Sequence, residues 1–308
     1  MKRAYAYIVL AAILFSTMEI AGRVLARDLN PTQINVWRFL IASLVLLPSA
    51  VMRVKRRDLR LGFRDILYFL AAGLVGIALC MELFQIALAL TKASTVAIII
   101  SCMPMAIIPF ACLFLKERFT QGTALALVFC VLGICFIINP FEIDPELGGI
   151  LAAIGAMITF AIYSVMGKAA VATYGSIPFM CFSFLAGALI LLGLAVAADV
   201  LGPQLGNPVL ARLAGVSLID GINPANALCL LYFAVFGTGL GFLFYFLAME
   251  ETSASTGSIV FFIKPALAPL LACLLLGERI APNVLLGIAL VIVGTWFAFR
   301  GARRRVAA

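Results

Sequence analysis

The chain has 308 residues, of which 65% are hydrophobic and 12% charged, with a formal charge of +8 and a mean hydropathy of +1.17. An ordinary soluble domain carries roughly 25% charged residues, so the composition excludes a soluble globular protein and points to an integral membrane protein. The basic residues adjoin apolar runs and no nucleic-acid reader motif is present, so an anionic bilayer surface, not a nucleic acid, is the partner that this charge fits.

In chain order, apolar runs occupy 5–24, 33–52, 66–90, 94–115, 122–138, 149–168, 177–199, 226–249, 255–276 and 284–299. About 20 apolar residues cross a hydrocarbon core of about 30 Å as a helix. Only helices and closed barrels satisfy the backbone in lipid, and runs this continuous are not the alternating segments of a barrel. The expected fold class is therefore all-α, an integral membrane protein with ten transmembrane helices. "MKR" opens the first membrane helix and not a cleaved signal, because no small-x-small cleavage site follows it.

Basic residues set the expected orientation. With the N-terminus inside, the cytoplasmic segments hold Lys2, Arg3, the cluster "RVKRRDLRLGFR", Lys116, Arg118, Lys168 and the tail "RGARRR". The outer loops keep only Arg27, Lys92, Arg212 and Arg279. The positive-inside rule selects this arrangement, with both termini cytoplasmic and a bacterial inner membrane as the expected location.

All eight cysteines fall inside apolar runs, without zinc spacing, and there is no histidine. They read as small packing residues. Neither a metal nor a cofactor is expected, and no nucleophile–base pair or metal cluster of an enzyme is visible.

The stretch "TKASTVAIIISCMPMAIIPFACLFLKER", from Thr91, returns as "TSASTGSIVFFIKPALAPLLACLLLGER", from Thr252, without a gap and at a constant offset. Pro104/Pro265, Glu117/Glu278 and Arg118/Arg279 are identical in this register, as are Gly76/Gly237 and Ala87/Ala248. Upstream, Phe15/Phe160, Gly22/Gly167, Phe39/Phe184 and the basic pair Arg23/Lys168 align at a second, shorter offset, the difference being an insertion in the long loop before 226. Each half holds five helices, an odd number, so the second half enters the membrane from the opposite side. The expected domains are 4–140, 147–300 and a basic tail, 301–308. Inverted repeats are an architecture of secondary transporters, with the site at the midplane between the halves.

"WRFLIASLVLL", "ALTKAST…MP…LKER" and "SASTG…KPALAPLLACLLLGER" resemble the EamA family of the drug/metabolite transporter superfamily, as two EamA units covering nearly the whole chain. The resemblance implies a ten-helix basket whose cavity is lined by helices one, three, four, six, eight and nine. It also implies transport of amino acids, metabolites or toxic solutes. The expected activity is secondary transport, by alternating access, of a small polar organic solute such as an amino acid or related metabolite. Export is the expected direction and protons are the candidate coupling ion; an uncoupled exchanger or facilitator is the alternative.

Ionisable groups at membrane depth are costly and mark candidate functional sites. Glu19 lies four residues before Arg23 on one helix face, where the two could pair. Glu82 has Gln85 one turn on. Arg38, near the outer end of the second run, is expected to snorkel and to be structural, as the resemblance also implies. Lys264 has Met103 as its repeat partner and is expected to face the cavity, meeting an anionic group of the solute or a glutamate. Pro104 and Pro265 are expected to kink their helices. Glu117 and Glu278, beside arginines, read as boundary or gating groups. The candidate substrate and coupling set is Glu19, Glu82, Gln85, Met103, Tyr163, Tyr245 and Lys264, with Arg23 and Arg38 as structural charges.

Overall fold

The computed structural model describes residues 2–117, 147–205 and 217–261, together with scattered residues between 121 and 136 and between 273 and 297. The runs expected at 122–138 and 284–299, and 255–276 beyond 261, lie largely outside the described residues.

Among the described residues all regular structure is helical. The first run is a rod made of α1 (Lys2–Ser16) and α2 (Met18–Leu25). It bends at Thr17, where Ser16 Oγ donates to Ala12 O and Thr17 Oγ1 to Leu14 O, hydroxyl back-bonding of the kind that bends helices. Helix α3 (Pro31–Arg56) starts at an Asn30 cap with proline in its first turn, where the missing N–H costs nothing. The third run is one rod, Phe63–Leu90. It comprises α4 (Phe63–Gly73), a π-helical stretch over Leu74–Leu79 and α5 (Cys80–Leu90). The fourth breaks at Cys102 into α6 (Ala93–Ser101) and α7 (Met103–Leu115), just before Pro104, whose ring nitrogen has no proton to donate.

Two long helices follow, α8 (Leu147–Tyr174) and α9 (Ser176–Leu205), joined through Gly175 at φ +83°, a conformation that only glycine adopts without strain. The last long rod, Pro224–Glu251, repeats the plan of the third: α10 (Pro224–Tyr232), a π-helical stretch over Phe233–Leu240, and α11 (Gly241–Glu251). A short helix, α12 (Ala254–Gly257), opens the ninth run.

Six of these segments are long and apolar enough to cross a membrane, and the shorter apolar helix Ile99–Leu115 adds to them. Large apolar side chains stand exposed on their outer faces, among them Leu44, Val45, Phe114, Leu151 and Leu228. In water such a surface would aggregate; in a bilayer it is the face that lipid covers. The chain is a multi-pass membrane protein.

Inside, close packing replaces the hydrophobic effect as the force between helices. Helices α3 and α9 meet along their length, Phe39 and Phe184 touching edge to face with ring centres 4.9 Å apart. The third rod crosses α9 at glycines: a Cβ added to Gly73 would lie 2.6 Å from Gly187 N. It crosses α8 at Gly76, whose missing side chain makes room for the Tyr163 ring.

Candidate functional site

A small pocket opens between the rods. Its wall takes Phe15 and Met18 from the first rod, Cys80, Met81 and Phe84 from α5, Ile100 and Met103 from the fourth run, Ala156 and Phe160 from α8, Phe242 from α11 and Phe261 from the ninth run. Four phenylalanines interlock across it: Phe15 with Phe242 at 5.2 Å, Phe160 with Phe242 at 5.8 Å, and Phe261 with Phe160 at 5.4 Å. The wall is apolar and aromatic, suited to the hydrocarbon part of a solute.

Of the candidate set, Met103 lies on this wall. Tyr163 and Tyr245 are fully buried behind Phe160, their hydroxyls occupied by Ser183 Oγ and Ser164 Oγ, both at 3.0 Å. Lys264 and Pro265 lie outside the described residues. Pro104 follows the break at Cys102, one residue beyond the wall.

The polar candidates cluster where the first three rods meet. Glu19, 1% exposed, follows pocket-lining Met18. Gln85 Nε2 donates to Gly22 O at 2.9 Å, tying α5 to α2. Arg23 gives Nη1 to Leu88 O at 2.5 Å and Ala89 O at 3.2 Å, so it closes the end of α5 instead of pairing with Glu19. Glu82 follows pocket-lining Met81 and is held by α3: Oε1 accepts from Thr32 Oγ1 at 2.5 Å, and Oε2 from Asn35 Nδ2 at 2.8 Å.

Arg38 departs from expectation. It is fully buried, its guanidinium carbon 4.5 Å from the ring centre of Phe39 and 4.4 Å from that of Phe233. It does not snorkel, because it sits ~10 Å along α3 from Pro31 and aromatic rings from two rods close over it.

A carboxylate also joins the fourth and ninth runs. Glu117 accepts from Ala254 N at 2.9 Å, Ser255 N at 3.2 Å and Ser255 Oγ, so it caps the orphan donors at the start of the ninth run. Glu278 lies outside the described residues.

The profile of the EamA-like transporter family matches residues 2–139 and 147–300. The chain belongs to the EamA-like transporter family. A curated relative from Clostridium kluyveri, an uncharacterized transporter, is 36% identical over 96% of this chain and 92% of its own. Another, from Archaeoglobus fulgidus and also an uncharacterized transporter, is 22% identical over 89% and 90%. A crystal structure of a protein with 18% identity superposes over 98% of both chains with a TM-score of 0.70, a likeness of fold.

For this EamA-like transporter, sequence reasoning looked for charges and missed the phenylalanines of the wall. A signal for them was present in the repeat register. Phe15/Phe160 align at the shorter of the two offsets, and Met81/Phe242 and Ile100/Phe261 at the longer, so three pairs of the wall are repeat mates.

Proposed function

We propose that this EamA-like transporter is a secondary transporter of a small organic solute, built as two inverted five-helix repeats and working by alternating access. The observation that carries this reading is the pocket: it lies between the halves, and its wall contains repeat-paired residues from each. Other equivalences support it. Gly62 N donates to Asp65 Oδ2 at the start of the third rod, as Asn223 N does to Asn226 Oδ1 at the start of the last. Both π-helical stretches contain the repeat-matched glycines Gly76 and Gly237. Phe39 and Phe184, repeat mates, touch each other, as residues beside a pseudo-twofold axis do.

Glu82 and Glu19 are the proposed proton carriers, since a carboxylate at membrane depth is costly and each directly follows a residue of the pocket wall. Both termini are proposed to be cytoplasmic, and the proposed direction is export across a bacterial inner membrane. The test is a solute screen in proteoliposomes with an imposed pH gradient, using amino acids and organic acids. Gradient-driven movement above protein-free liposomes is expected; folded protein that moves none of them overturns the reading.

A further inference from the structure

The two ends of the pocket are closed by different chemistry. Toward the face where α1 begins, the space beyond the wall is filled by rings. Tyr163 follows the wall residue Phe160 by one turn of α8, Tyr245 and Phe246 follow Phe242 by one turn of α11, and Phe179 lies one turn into α9. All four are fully buried and they interlock, the Phe246 ring lying 5.3 Å from Phe179 and Tyr245 and 5.6 Å from Tyr163. A Cβ added to Gly167 would lie 2.2 Å from the Phe246 ring, so α8 and α11 leave no opening at this level. Toward the opposite face the groups just beyond the wall are polar: Glu19, Gln85, and Glu82 with Thr32 and Asn35. Water can solvate that end; the ring plug has to be parted.

A polar contact lies over the plug. Helix α7 ends at Lys116, whose φ of +56° is left-handed, a region costly for a residue with a side chain. This turn presents Glu117 to the ninth run, where it accepts from Ala254 N, Ser255 N and Ser255 Oγ. Glu117 and Ser255 are half-buried, so water can replace these bonds when they part. The start of the ninth run is seated on α11, where a Cβ at Gly257 would fall 2.2 Å from Met249 Cγ. The end of α11 is tied to α8 by polar bonds, Lys168 Nζ to Thr252 O at 2.8 Å and the Tyr245 hydroxyl to Ser164 Oγ at 3.0 Å. Helices α3 and α9 are joined differently, through the repeat mates Phe39 and Phe184 and through Cys181 Sγ at 3.4 Å from Ser43 O. Beside a pseudo-twofold axis, rocking moves atoms least.

We propose that Glu117 is the latch of a gate at the face where α1 begins. When it releases Ala254 and Ser255, α11 and the start of the ninth run swing away from α7 and α8, the four-ring plug parts, and the pocket opens to this side while α3 and α9 stay together. This rests on the transport reading and names the device that closes one of its two states. It gives Tyr163 and Tyr245, buried behind the wall, a role in the gate, and it gives the strained turn at Lys116 a purpose.

The probe is a membrane-impermeant methanethiosulfonate, applied from either face of oriented proteoliposomes to protein with Cys80 as its sole cysteine. Glu117→Ala is expected to speed modification from the α1-start face about threefold or more and not from the other, because the closed state loses its latch. The chain has no histidine, so Glu117→His with Ser255→His makes a zinc bridge confined to the latch. Zinc is expected to raise the Tm of this variant and to slow modification from the α1-start face about tenfold or more, with the other face unaffected and chelation restoring the rate. Ser43→Cys, oxidised onto a retained Cys181, is expected to leave both rates unchanged. An unchanged rate in Glu117→Ala, or zinc that raises Tm without slowing modification, would overturn the proposal. So would zinc that leaves Tm unchanged, since the two positions would then not meet, zinc that slows both faces alike, or loss of modification in the Ser43→Cys cross-link. The expected zinc response in protein that moves no solute would fault the transport reading and leave the gate standing.

Discussion

Arg23 and Lys168, partners in the repeat, make the same contact: Arg23 Nη1 donates to Leu88 O and Lys168 Nζ to Met249 O, each at 2.5 Å. The acceptors are themselves repeat mates and lie in the last turns of α5 and α11, where carbonyls lack the regular i+4 donor, although Met249 O also accepts from the cap N–H of Thr252 at 3.3 Å. A cation there adds a bond to these exposed oxygens and meets the negative end of the helix dipole.

Removing either cation should therefore weaken the bundle to a similar degree. Arg23→Met and Lys168→Met are each expected to lower stability by about 1–2 kcal/mol, within the range for a hydrogen bond to a charged group. Arg23→Lys and Lys168→Arg should be tolerated. Because the two sites share no residue, the losses should add in the double variant. Thermal denaturation in detergent measures all of them; a loss confined to one of the two sites would count against equivalent roles.

Backbone contact between the third rod and α9 makes a steric prediction. Gly73→Leu places a side chain where Gly187 N and Ser183 O lie within 2.7 Å of its Cβ, whereas a Cβ at Gly193 meets nothing within 4 Å. Gly73→Leu is expected to yield no folded monodisperse protein, and Gly193→Ala to be indistinguishable from wild type by size-exclusion chromatography and Tm.

Coupling is tested at Glu82. Glutamine keeps an oxygen for Thr32 or Asn35, so Glu82→Gln should fold normally, lose accumulation driven by a pH gradient, and keep counterflow of solute. Glu82→Ala strands both donors and should cost about 1–3 kcal/mol in addition. Glu19→Gln should behave as Glu82→Gln does. Full gradient-driven accumulation by both glutamine variants would place coupling elsewhere.

The phenylalanine wall is tested at Phe160, which contacts Phe242, Tyr245 and Phe261. Phe160→Ala should lower Tm and weaken, about tenfold or more, the binding of whichever solute the proteoliposome screen shows to be moved. Undiminished binding of that solute would remove the wall from the site.

Membrane character and the positions of the long helices were legible in the sequence because apolar length is a direct physical demand of the bilayer; α3, α8, α9 and the rods Phe63–Leu90 and Pro224–Glu251 fall where the runs predict. The breaks at Thr17 and Cys102 were less visible, since they depend on hydroxyl back-bonding and on where a proline's strain is released. The π-helical stretches were invisible, because π turns follow tertiary packing and not local pattern. At the site, charge singled out Glu19, Glu82 and Arg38 in the sequence but gave no indication of what they touch. Arg38 was expected at the surface because its depth depends on Phe233, which lies in the other half of the chain. The wall phenylalanines were hidden among others that are buried elsewhere in the bundle, and the repeat register did not single them out, since it pairs Phe39/Phe184, which is off the wall, as well as Phe15/Phe160, which is on it.

Alternating access itself is tested most directly at Cys80, a native pocket residue that donates to Ala156 O at 3.3 Å. With the other seven cysteines replaced by alanine, Cys80 in oriented proteoliposomes is exposed to a membrane-impermeant methanethiosulfonate applied from one face or the other, with and without a solute that the proteoliposome screen shows to be moved. The account predicts modification from both faces, slowed by that solute on each. Modification from a single face only, or from neither in folded protein, would contradict it.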